Sequence, residues 1–377
     1  MRRELGRSLR NLRRVVVKLG SQVVTTADFQ LDRGLFEWLA EDVAHLNRRG
    51  MQVVIVSSGA VAAGIGRLGL PEKPSSIPEK QAVAAVGQIN LMGFYREVFG
   101  GLGLTVGQVL LTRDDLENRR RYQNAKSTLL ALLAMGVVPV INENDTVTVD
   151  EIKFGDNDNL SAMVTNLIEA DCLVILSDVE GLYDQDPKKN PDARLLSRVD
   201  AVDEVVESFV GSSQTLVGTG GMATKLQAAK RAVHVGAAAV IGSGKAPHAF
   251  RRIVEGEELG TYFPPMEDRL TRRKHWIAYT VKPSGRIFLD QGAADAILER
   301  GKSLLPSGIR RAEGDFDRGD AVDLVAPTGA AIGRGLTNYG LEEVRRIAGL
   351  ATWEIADRLG YRYCDEVVHR DDLVLLV

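Results

Sequence analysis

The stretch Val138-Pro-Val-Ile-Asn-Glu-Asn-Asp145 begins as an apolar run and ends in four side chains that carry amides or carboxylates. A second polar cluster, Asp156-Asn-Asp-Asn159, follows shortly afterwards and opens a pattern typical of a helix. The apolar run predicts a buried strand, and ligands of α/β proteins bind at the carboxyl ends of such strands. Asn and Asp also favour helix starts and turns, so either cluster alone is open to that simpler interpretation. Together they favour a site for a small polar molecule or a metal–nucleotide complex.

Apolar, β-branched runs of the same kind recur along the first two thirds of the chain. They lie at Val15–Lys18, Val53–Val56, Val137–Ile141, Leu173–Leu176 and Ala237–Ile241, with Val106–Leu111 as a further candidate. Helical patterns lie between them, at Gly34–Asn47, Lys80–Phe99, Asn124–Leu133 and Ala223–Val235. Continuous apolar strands that alternate with helices indicate a mostly parallel sheet covered by helices on both faces. We therefore predict an α/β fold for this region.

The last third of the chain has a different pattern. Short strands with glycine-bearing turns are predicted at Trp276–Val281, Gly285–Leu289, Ala321–Val325, Ala331–Gly335 and Glu366–Leu376. A short helix is predicted near Leu341–Ile347, and a linker containing prolines begins near Thr261. Such a change of sequence pattern across a linker indicates a domain boundary. We predict an α/β domain over residues 1–270 and a small β-rich domain over residues 276–377.

The composition argues against several classes of protein. The 377 residues carry a net charge of -3, with a pI near 6.1, which argues against a protein whose main task is to bind nucleic acid. No apolar run approaches the length of a membrane span, so we expect no membrane association. The two cysteines, Cys172 and Cys364, lie far apart in the sequence and neither has a CxxC partner. A disulfide framework is therefore excluded, and a cytoplasmic location is predicted.

The first strand ends in Val15-Val-Val-Lys-Leu-Gly-Ser21, and Lys18 within it is the first candidate functional residue. A lysine at the end of an apolar strand is costly unless its ammonium reaches solvent or an anion. Gly20 lets the backbone turn sharply or approach a ligand closely. Lys18 is thus either a cation placed on a transferring phosphate or a lysine whose head reaches solvent at the sheet rim.

The second strand ends in Ser57-Ser-Gly-Ala60, where small residues precede a helix. Free backbone N–H groups at a helix start, beside a serine hydroxyl, suit an anion or a carboxylate. Ser58 lacks the glycine two positions earlier that a nucleophile elbow requires, so we predict that it binds ligand and is not a nucleophile.

A glycine-rich loop, Gly218-Thr-Gly-Gly-Met-Ala-Thr-Lys225, leads into a further helix. Flexible glycines, exposed amides and a helix start together predict a phosphate cradle, although the Walker A spacing is absent. Ser177 and Asp178 follow another strand and are candidates either for a turn cap or for hydrogen bonds to a nucleoside. The match of Gly64-Ile-Gly-Arg-Leu-Gly69 to GxGxxG lies too far past its strand to indicate dinucleotide binding. No metal-ligand spacing is present, so any Mg²⁺ should arrive with a nucleotide.

With these motifs in place, the chain resembles the glutamate 5-kinases of the amino acid kinase family. The matching stretches are Val17-Lys-Leu-Gly20, Val56-Ser-Ser-Gly-Ala60, Gly107-Gln-Val-Leu-Leu-Thr112, Ile141-Asn-Glu-Asn-Asp145, Gly155-Asp-Asn-Asp-Asn159 and Gly218-Thr-Gly-Gly-Met-Ala-Thr-Lys225. The β-rich tail resembles a PUA domain in two stretches, Gly292-Ala-Ala-Asp-Ala-Ile-Leu298 and Gly314-Asp-Phe-Asp-Arg-Gly-Asp320. Family members often have Thr where this chain has Ser177, and the hydroxyl group is retained.

The resemblance implies ATP-dependent phosphorylation of the glutamate γ-carboxylate, with Mg²⁺ as the accompanying ion. It implies that the catalytic residues are Lys18, Lys225 and Asp158. Glutamate would be bound by Ser58, Asp145 and Asn157, with Asn142 as a helper. Asp145 would take the ammonium, and Ser58 and Asn157 would donate to the α-carboxylate. ATP would be bound by Lys18, Ser177, Asp178, Thr219, Gly220, Gly221, Met222, Ala223, Thr224 and Lys225. It further implies feedback inhibition by proline, a homodimer or homotetramer, and handover of the product to glutamyl phosphate reductase.

Two other functions stay open at this stage. PUA domains are best known on RNA-binding and RNA-modifying proteins, but that reading leaves the acidic pI and the phosphate loop unexplained. Another amino acid kinase, with a different carboxylate or carbamate as its acceptor, is the closer alternative.

Overall fold

A computed structural model describes residues 12–147, 156–187, 189–209, 221–266 and 283–376 of the chain. The chain divides into two compact units, Met1–Met266 and Glu267–Val377. The predicted domain limits, 1–270 and 276–377, stay predictions, because residues 267–282 lie outside the described ranges. The predicted strand Trp276–Val281 lies there as well.

The described part of the first unit is built on a seven-stranded sheet. Its strands are β1 (Arg14–Leu19), β2 (Gln52–Ser57), β3 (Val106–Leu111), β4 (Val138–Glu143), β5 (Cys172–Ser177), β6 (Ala238–Ser243) and β7 (Thr261–Phe263). Their order across the sheet is β3-β4-β2-β1-β5-β6-β7. Neighbouring strands run parallel except β7, which pairs antiparallel with β6. The predicted, mostly parallel sheet is confirmed, and β7 is a strand that the sequence pattern did not reveal.

Helices connect these strands. The described helices of the first unit are α1 (Ser21–Val24), α2 (Arg33–Arg48), α3 (Ala60–Leu68), α4 (Ile77–Gly100), α5 (Arg113–Glu117), α6 (Arg119–Ala134), α7 (Asp156–Leu167), α8 (Glu204–Ser208), α9 (Met222–His234) and α10 (Ala249–Val254). Val15 and Val17 pack in one apolar cluster, whereas Val16 packs in the other. Successive side chains of a strand point to opposite faces, so β1 is covered on both. Its continuous apolar sequence follows from that double burial.

The register of the sheet brings the predicted site residues to one edge. Lys18 on β1 pairs with Val56 on β2 and with Ile175 on β5, and Val56 pairs in turn with Ile141 on β4. Because these strands are parallel, the residues that follow them emerge at neighbouring positions. The segments that begin at Gly20, Ser58, Asn142 and Ser177 therefore lie together at the edge formed by the carboxyl ends of the strands.

Helices α3 and α4 approach each other through glycines. A Cβ atom at Gly64 would collide with the carbonyl oxygen of Val83, and one at Gly87 would collide with the carbonyl oxygen of Ala60. The two helices therefore touch backbone to backbone, which only glycine permits. The first two glycines of the GxGxxG match lie inside α3, and Gly64 serves this helix packing.

The described part of the second unit is a small β-rich domain. Its elements are β8 (Gly285–Leu289), α11 (Gln291–Arg300), β9 (Ile309–Gly314), β10 (Ala321–Val325), β11 (Ala331–Thr337), α12 (Leu341–Ile347), α13 (Ile355–Leu359) and β12 (Val368–Leu375). The strands form a five-stranded sheet in the order β12-β11-β10-β8-β9. Strand β9 was not predicted, because two of its residues, Arg310 and Arg311, are exposed and break the apolar pattern.

The contact between α3 and α4 leads to a stability prediction. Gly87→Ala forces a methyl group against the Ala60 carbonyl, and overpacking of this kind costs about 1–3 kcal/mol. Urea unfolding should therefore show a lower free energy of unfolding for this variant. Gly93→Ala on the same helix is the matched control, since a Cβ there meets no atom within 4 Å. The control should be neutral or gain up to about 1 kcal/mol of helix propensity. Equal stability of the two variants would contradict the packing argument.

Candidate active site

Three buried charged side chains form a cluster at the carboxyl edge of the sheet. Lys18 Nζ lies 2.6 Å from Asp158 Oδ1, and Lys225 Nζ lies 3.5 Å from Asp158 Oδ2. Lys18 comes from β1, Asp158 from the first turn of α7 and Lys225 from the first turn of α9. The lysines are each 4% exposed and Asp158 is fully buried. The structure thus brings together all three residues predicted to be catalytic.

The cluster carries an excess of positive charge. Burial by itself raises the pKa of Asp158, but the charges of Lys18 and Lys225 outweigh burial and lower that pKa. Burial lowers the pKa of Lys225, as does the charge of Lys18, while Asp158 opposes both. Two cations face one carboxylate in a region of low dielectric, where an unbalanced charge is costly. An incoming anion would restore the balance.

Thr224 connects this cluster to the start of α9. Its Oγ1 lies 2.6 Å from Asp158 Oδ2 and 2.8 Å from the carbonyl oxygen of Gly221. The helix begins at Met222, so the backbone N–H groups of Met222 and Ala223 belong to its first turn. Such groups lack partners within the helix and favour anions. The helix start predicted for the glycine-rich loop is confirmed, whereas Thr219 and Gly220 lie outside the described residues.

A second network of amide and hydroxyl groups lies on the other side of α7's first turn. Asn157 Nδ2 lies 3.1 Å from Ser58 Oγ and 3.0 Å from Asn142 Oδ1. Asn142 Nδ2 in turn donates to Gln88 Oε1 over 2.8 Å, and the backbone N–H of Glu143 donates to Asn142 Oδ1. The structure thus joins Ser58 and Asn157, two residues that were predicted to bind glutamate. It adds Gln88 from α4, which gave no sequence signal.

The amide network leaves two buried polar atoms without a partner among the described residues. They are Asn157 Oδ1, an acceptor, and Gln88 Nε2, a donor. Asn157 was expected to donate to a carboxylate, but its nitrogen is occupied by Ser58 and Asn142. Its available atom is the oxygen. Buried polar groups without partners are rare in proteins, and each calls for a ligand or water.

Asp145 lies beyond the end of β4. Burial raises the pKa of its carboxyl group to about 6. No positively charged side chain contributes to this shift among the described residues. A desolvated carboxylate of this kind gains most from a cation brought by a ligand.

The end of β5 provides the remaining predicted residues. Ser177 is buried, and its Oγ donates to Asp178 Oδ1 over 3.0 Å. Asp178 is exposed and its charge acts on Lys225 by raising the pKa of that lysine. A Cβ at Gly20 would lie 4.0 Å from Lys18 Nζ, so the absent side chain leaves space beside that ammonium.

Comparison with known proteins identifies what the two parts of the chain are similar to. Residues 13–243 match the Amino acid kinase family, and residues 285–359 match the PUA domain. The glutamate 5-kinase of Geobacter sp. (strain M21) is 55% identical over 376 residues, which cover 100% of both chains. That of Citrifermentans bemidjiense is 54% identical, again over 100% of both chains. That of Pelobacter propionicus is 52% identical over the same share.

The chain belongs to the glutamate 5-kinase family.

Membership in the glutamate 5-kinase family confirms the resemblance drawn from the motifs, and it makes ATP the co-substrate. The PUA match confirms the nature of the β-rich tail. Among the residues described, no helix combines the length and the apolar character needed to span a membrane. The described residues also contain no group of three or more His, Cys, Asp or Glu side chains that could hold a metal ion.

The buried cluster leads to a second stability prediction. Asp158→Asn leaves Lys18 and Lys225 buried without their counter-charge, and breaking a buried pair in this way costs about 3–5 kcal/mol. Chemical unfolding at neutral pH should show this loss. Asp192→Asn, at an exposed position outside the candidate site, is the control and should change the free energy of unfolding by less than about 0.5 kcal/mol. A loss for Asp158→Asn as small as that of the control would contradict the assigned charges.

Proposed function

We propose that this site transfers the γ-phosphoryl group of ATP to the γ-carboxylate of L-glutamate. The product, γ-glutamyl phosphate, is the first intermediate of proline biosynthesis from glutamate. The observation that carries this proposal is the buried Lys18–Asp158–Lys225 cluster directly beside the amide network of Asn157. The lysine cluster suits a phosphoryl group, and the amide network suits the polar groups of an amino acid. The full-length similarity to glutamate 5-kinases supports the choice of acceptor.

The two lysines act on the phosphoryl group during transfer. The substrate carboxylate is itself the nucleophile, so the protein needs to align the reactants and to stabilise the charge that moves onto the leaving oxygen. Lys18 on β1 and Lys225 on α9 supply the positive charge that stabilises this developing negative charge. Asp158 contacts both ammonium groups and fixes their positions before ATP arrives. Its depressed pKa keeps it ionised at neutral pH.

The α-ammonium and α-carboxylate groups of glutamate bind at the amide network around Asn157. The carboxylate of Asp145 accepts a hydrogen bond from the substrate ammonium. This carboxyl group has no cationic partner among the described residues. Asn157 Oδ1 is a second acceptor for the same group. Ser58 lies just before α3 and donates a hydrogen bond to the α-carboxylate. Asn142 has both of its polar side-chain atoms engaged by protein groups, so it orients its neighbours.

ATP binds where β5 and α9 meet this edge of the sheet. The first turn of α9 offers the N–H groups of Met222 and Ala223 to its phosphates, with Thr224 holding Asp158 in place. Ser177 and Asp178 bind the nucleoside part of ATP in this proposal. Gly221 precedes the helix, and we extend the phosphate contacts through Gly220 and Thr219 on sequence grounds.

Mg²⁺ accompanies ATP in this proposal. We propose that the ion is carried by the phosphates of ATP, because Mg²⁺ is usually bound through substrate phosphates and waters together with one or two carboxylates. The one carboxylate within the lysine cluster, Asp158, is already engaged by Lys18, Lys225 and Thr224. The ion would neutralise phosphate charge when bound.

Further features of the proposal rest on family relationship. We propose a homodimer or homotetramer, inhibition by proline at the glutamate pocket, and delivery of the labile product to glutamyl phosphate reductase. We also propose a cytoplasmic location, since the sequence holds only two cysteines, far apart and without a CxxC partner, and disulfide-stabilised proteins belong to oxidising compartments. An RNA-binding role of the PUA domain is not part of the proposal.

Hydroxylamine trapping of the acyl phosphate tests the reaction. Wild-type protein should form hydroxamate only with both ATP and glutamate present, and not from aspartate or N-acetylglutamate. Lys18→Ala and Lys225→Ala should each lower kcat about a hundredfold or more, the usual effect of removing one electrostatic stabiliser. Lys230→Ala is the control, since Lys230 lies on α9 but pairs with Glu207 and should leave kcat unchanged. Product from N-acetylglutamate or aspartate, with none from glutamate, would overturn the proposed acceptor.

The raised pKa of Asp145 predicts a pH dependence of glutamate use. The ionised carboxylate binds the ammonium, and this form is lost as the pH falls through about 6. The kcat/KM for glutamate reports the free enzyme, so it should fall about tenfold per pH unit below that value. Steady-state rates between pH 5 and 8 at saturating ATP measure the effect.

Asp145→Asn provides the control for this pH profile. The variant cannot ionise at this position, so its kcat/KM for glutamate should be low throughout and should lack the inflection near pH 6. Its kcat at saturating glutamate should change much less, because the ammonium is remote from the transferred group. Persistence of the same inflection in the variant would assign it to another residue.

A further inference from the structure

Gln88 is held in one orientation within the amide network. It lies on α4, and its Oε1 accepts a hydrogen bond from Asn142 Nδ2 over 2.8 Å. Because an amide oxygen and nitrogen occupy opposite sides of the same group, this bond also fixes where Nε2 lies. Nε2 is buried and has no hydrogen-bond partner among the described residues. A buried donor without an acceptor is unfavourable, so Gln88 is poised to donate to a ligand.

The packing of α4 places Gln88 next to the pocket that begins at Ser58. Gly87, its neighbour in sequence, touches the carbonyl of Ala60, which is the first residue of α3. Ser58 precedes that helix, and Asn157 bridges Ser58 to the same Asn142 that holds Gln88. Gln88 therefore belongs to the region proposed for the amino acid end of glutamate.

The neighbouring groups indicate which part of the substrate Gln88 contacts. The other unpartnered atom of the network, Asn157 Oδ1, is an acceptor, and so is the carboxylate of Asp145. Both suit the ammonium. The γ-carboxylate must lie at the lysine cluster for phosphoryl transfer. The α-carboxylate is the substrate group that requires a donor in this region, and Gln88 Nε2 supplies one.

We propose that Gln88 binds the α-carboxylate of glutamate through its Nε2 and selects for acids that carry this group. This inference rests on the proposed function. An alternative is that Gln88 serves the protein alone, by holding Asn142 in position. The two roles use different atoms of the same amide, so they can be separated by substitution.

Gln88→Glu separates them, because the introduced carboxylate still accepts from Asn142 but can no longer donate. It also places a negative charge beside the α-carboxylate. A hydrogen bond to a charged group contributes a factor of roughly 10 to 100, and the added repulsion increases the loss. We expect the KM for glutamate to rise about a hundredfold or more, with kcat changed by only a few-fold. Gln88→Met, which is uncharged and similar in size, should raise that KM at least about tenfold.

A substrate with its α-carboxylate converted to an amide provides the matched test. This glutamate α-amide keeps the ammonium and the γ-carboxylate, and its NH₂ group can donate to the carboxylate introduced by Gln88→Glu. Wild-type protein should prefer glutamate, whereas the variant should shift towards the α-amide by about a hundredfold in relative kcat/KM. Mere loss of structure cannot produce such a reversal.

The outcomes distinguish this inference from the proposed function. Absence of hydroxamate from wild-type protein with glutamate would reject the proposed function itself. An active wild type together with an unchanged KM in Gln88→Glu would reject the contact with the α-carboxylate and leave a purely structural role. Equal losses for glutamate and its α-amide in Gln88→Glu and Gln88→Met would also reject it. Thermal unfolding of both variants confirms that they are folded before rates are compared.

Discussion

The ion cluster of Lys18, Asp158 and Lys225 is the constraint on which the site depends. Its three members come from distant parts of the sequence and meet only because β1, α7 and α9 pack at one edge of the sheet. Two lysines at this depth would be costly without the carboxylate, and the carboxylate would be costly without them. Folding therefore assembles the charges that we propose to act on a phosphoryl group.

Helix α7 separates the two chemical regions through two consecutive residues. Asn157 joins the amide network, and Asp158 joins the lysines. Successive helical residues point about 100° apart, so a single first turn can face both regions at once. In the proposed reaction, Asn157 would face the amino acid end of glutamate and Asp158 the lysines that act on the phosphoryl group, and one helical turn would hold both.

The sequence pattern predicted the sheet and marked several residues of the candidate site, whereas the roles of Asp145, Asn157 and Asp158 were inferred from family resemblance. The buried strands of a parallel sheet are continuously apolar, and the polar residues that follow them stand out, as with Lys18 and Asn142. Gln88 could not be found in this way, because a glutamine within a long helix is ordinary and its unpartnered nitrogen depends on tertiary packing. The direction of the Asn157 amide is likewise set by Ser58 and Asn142, which only the folded chain brings together. Strand β7 is three residues long and followed by prolines, too short for a pattern to emerge.

The glycine contact between α3 and α4 fixes the spacing of two residues that we place in the proposed glutamate site. Gly64 and Gly87 bring two backbones into direct contact, and these helices carry or adjoin Ser58 and Gln88. No layer of side chains lies between the helices at this contact, so none can repack to move them together or apart. The separation of the two hydrogen-bonding groups is thus governed by the van der Waals radii of main-chain atoms. The distance between Ser58 and Gln88 is therefore fixed, and side-chain substitutions elsewhere in the core cannot easily increase it.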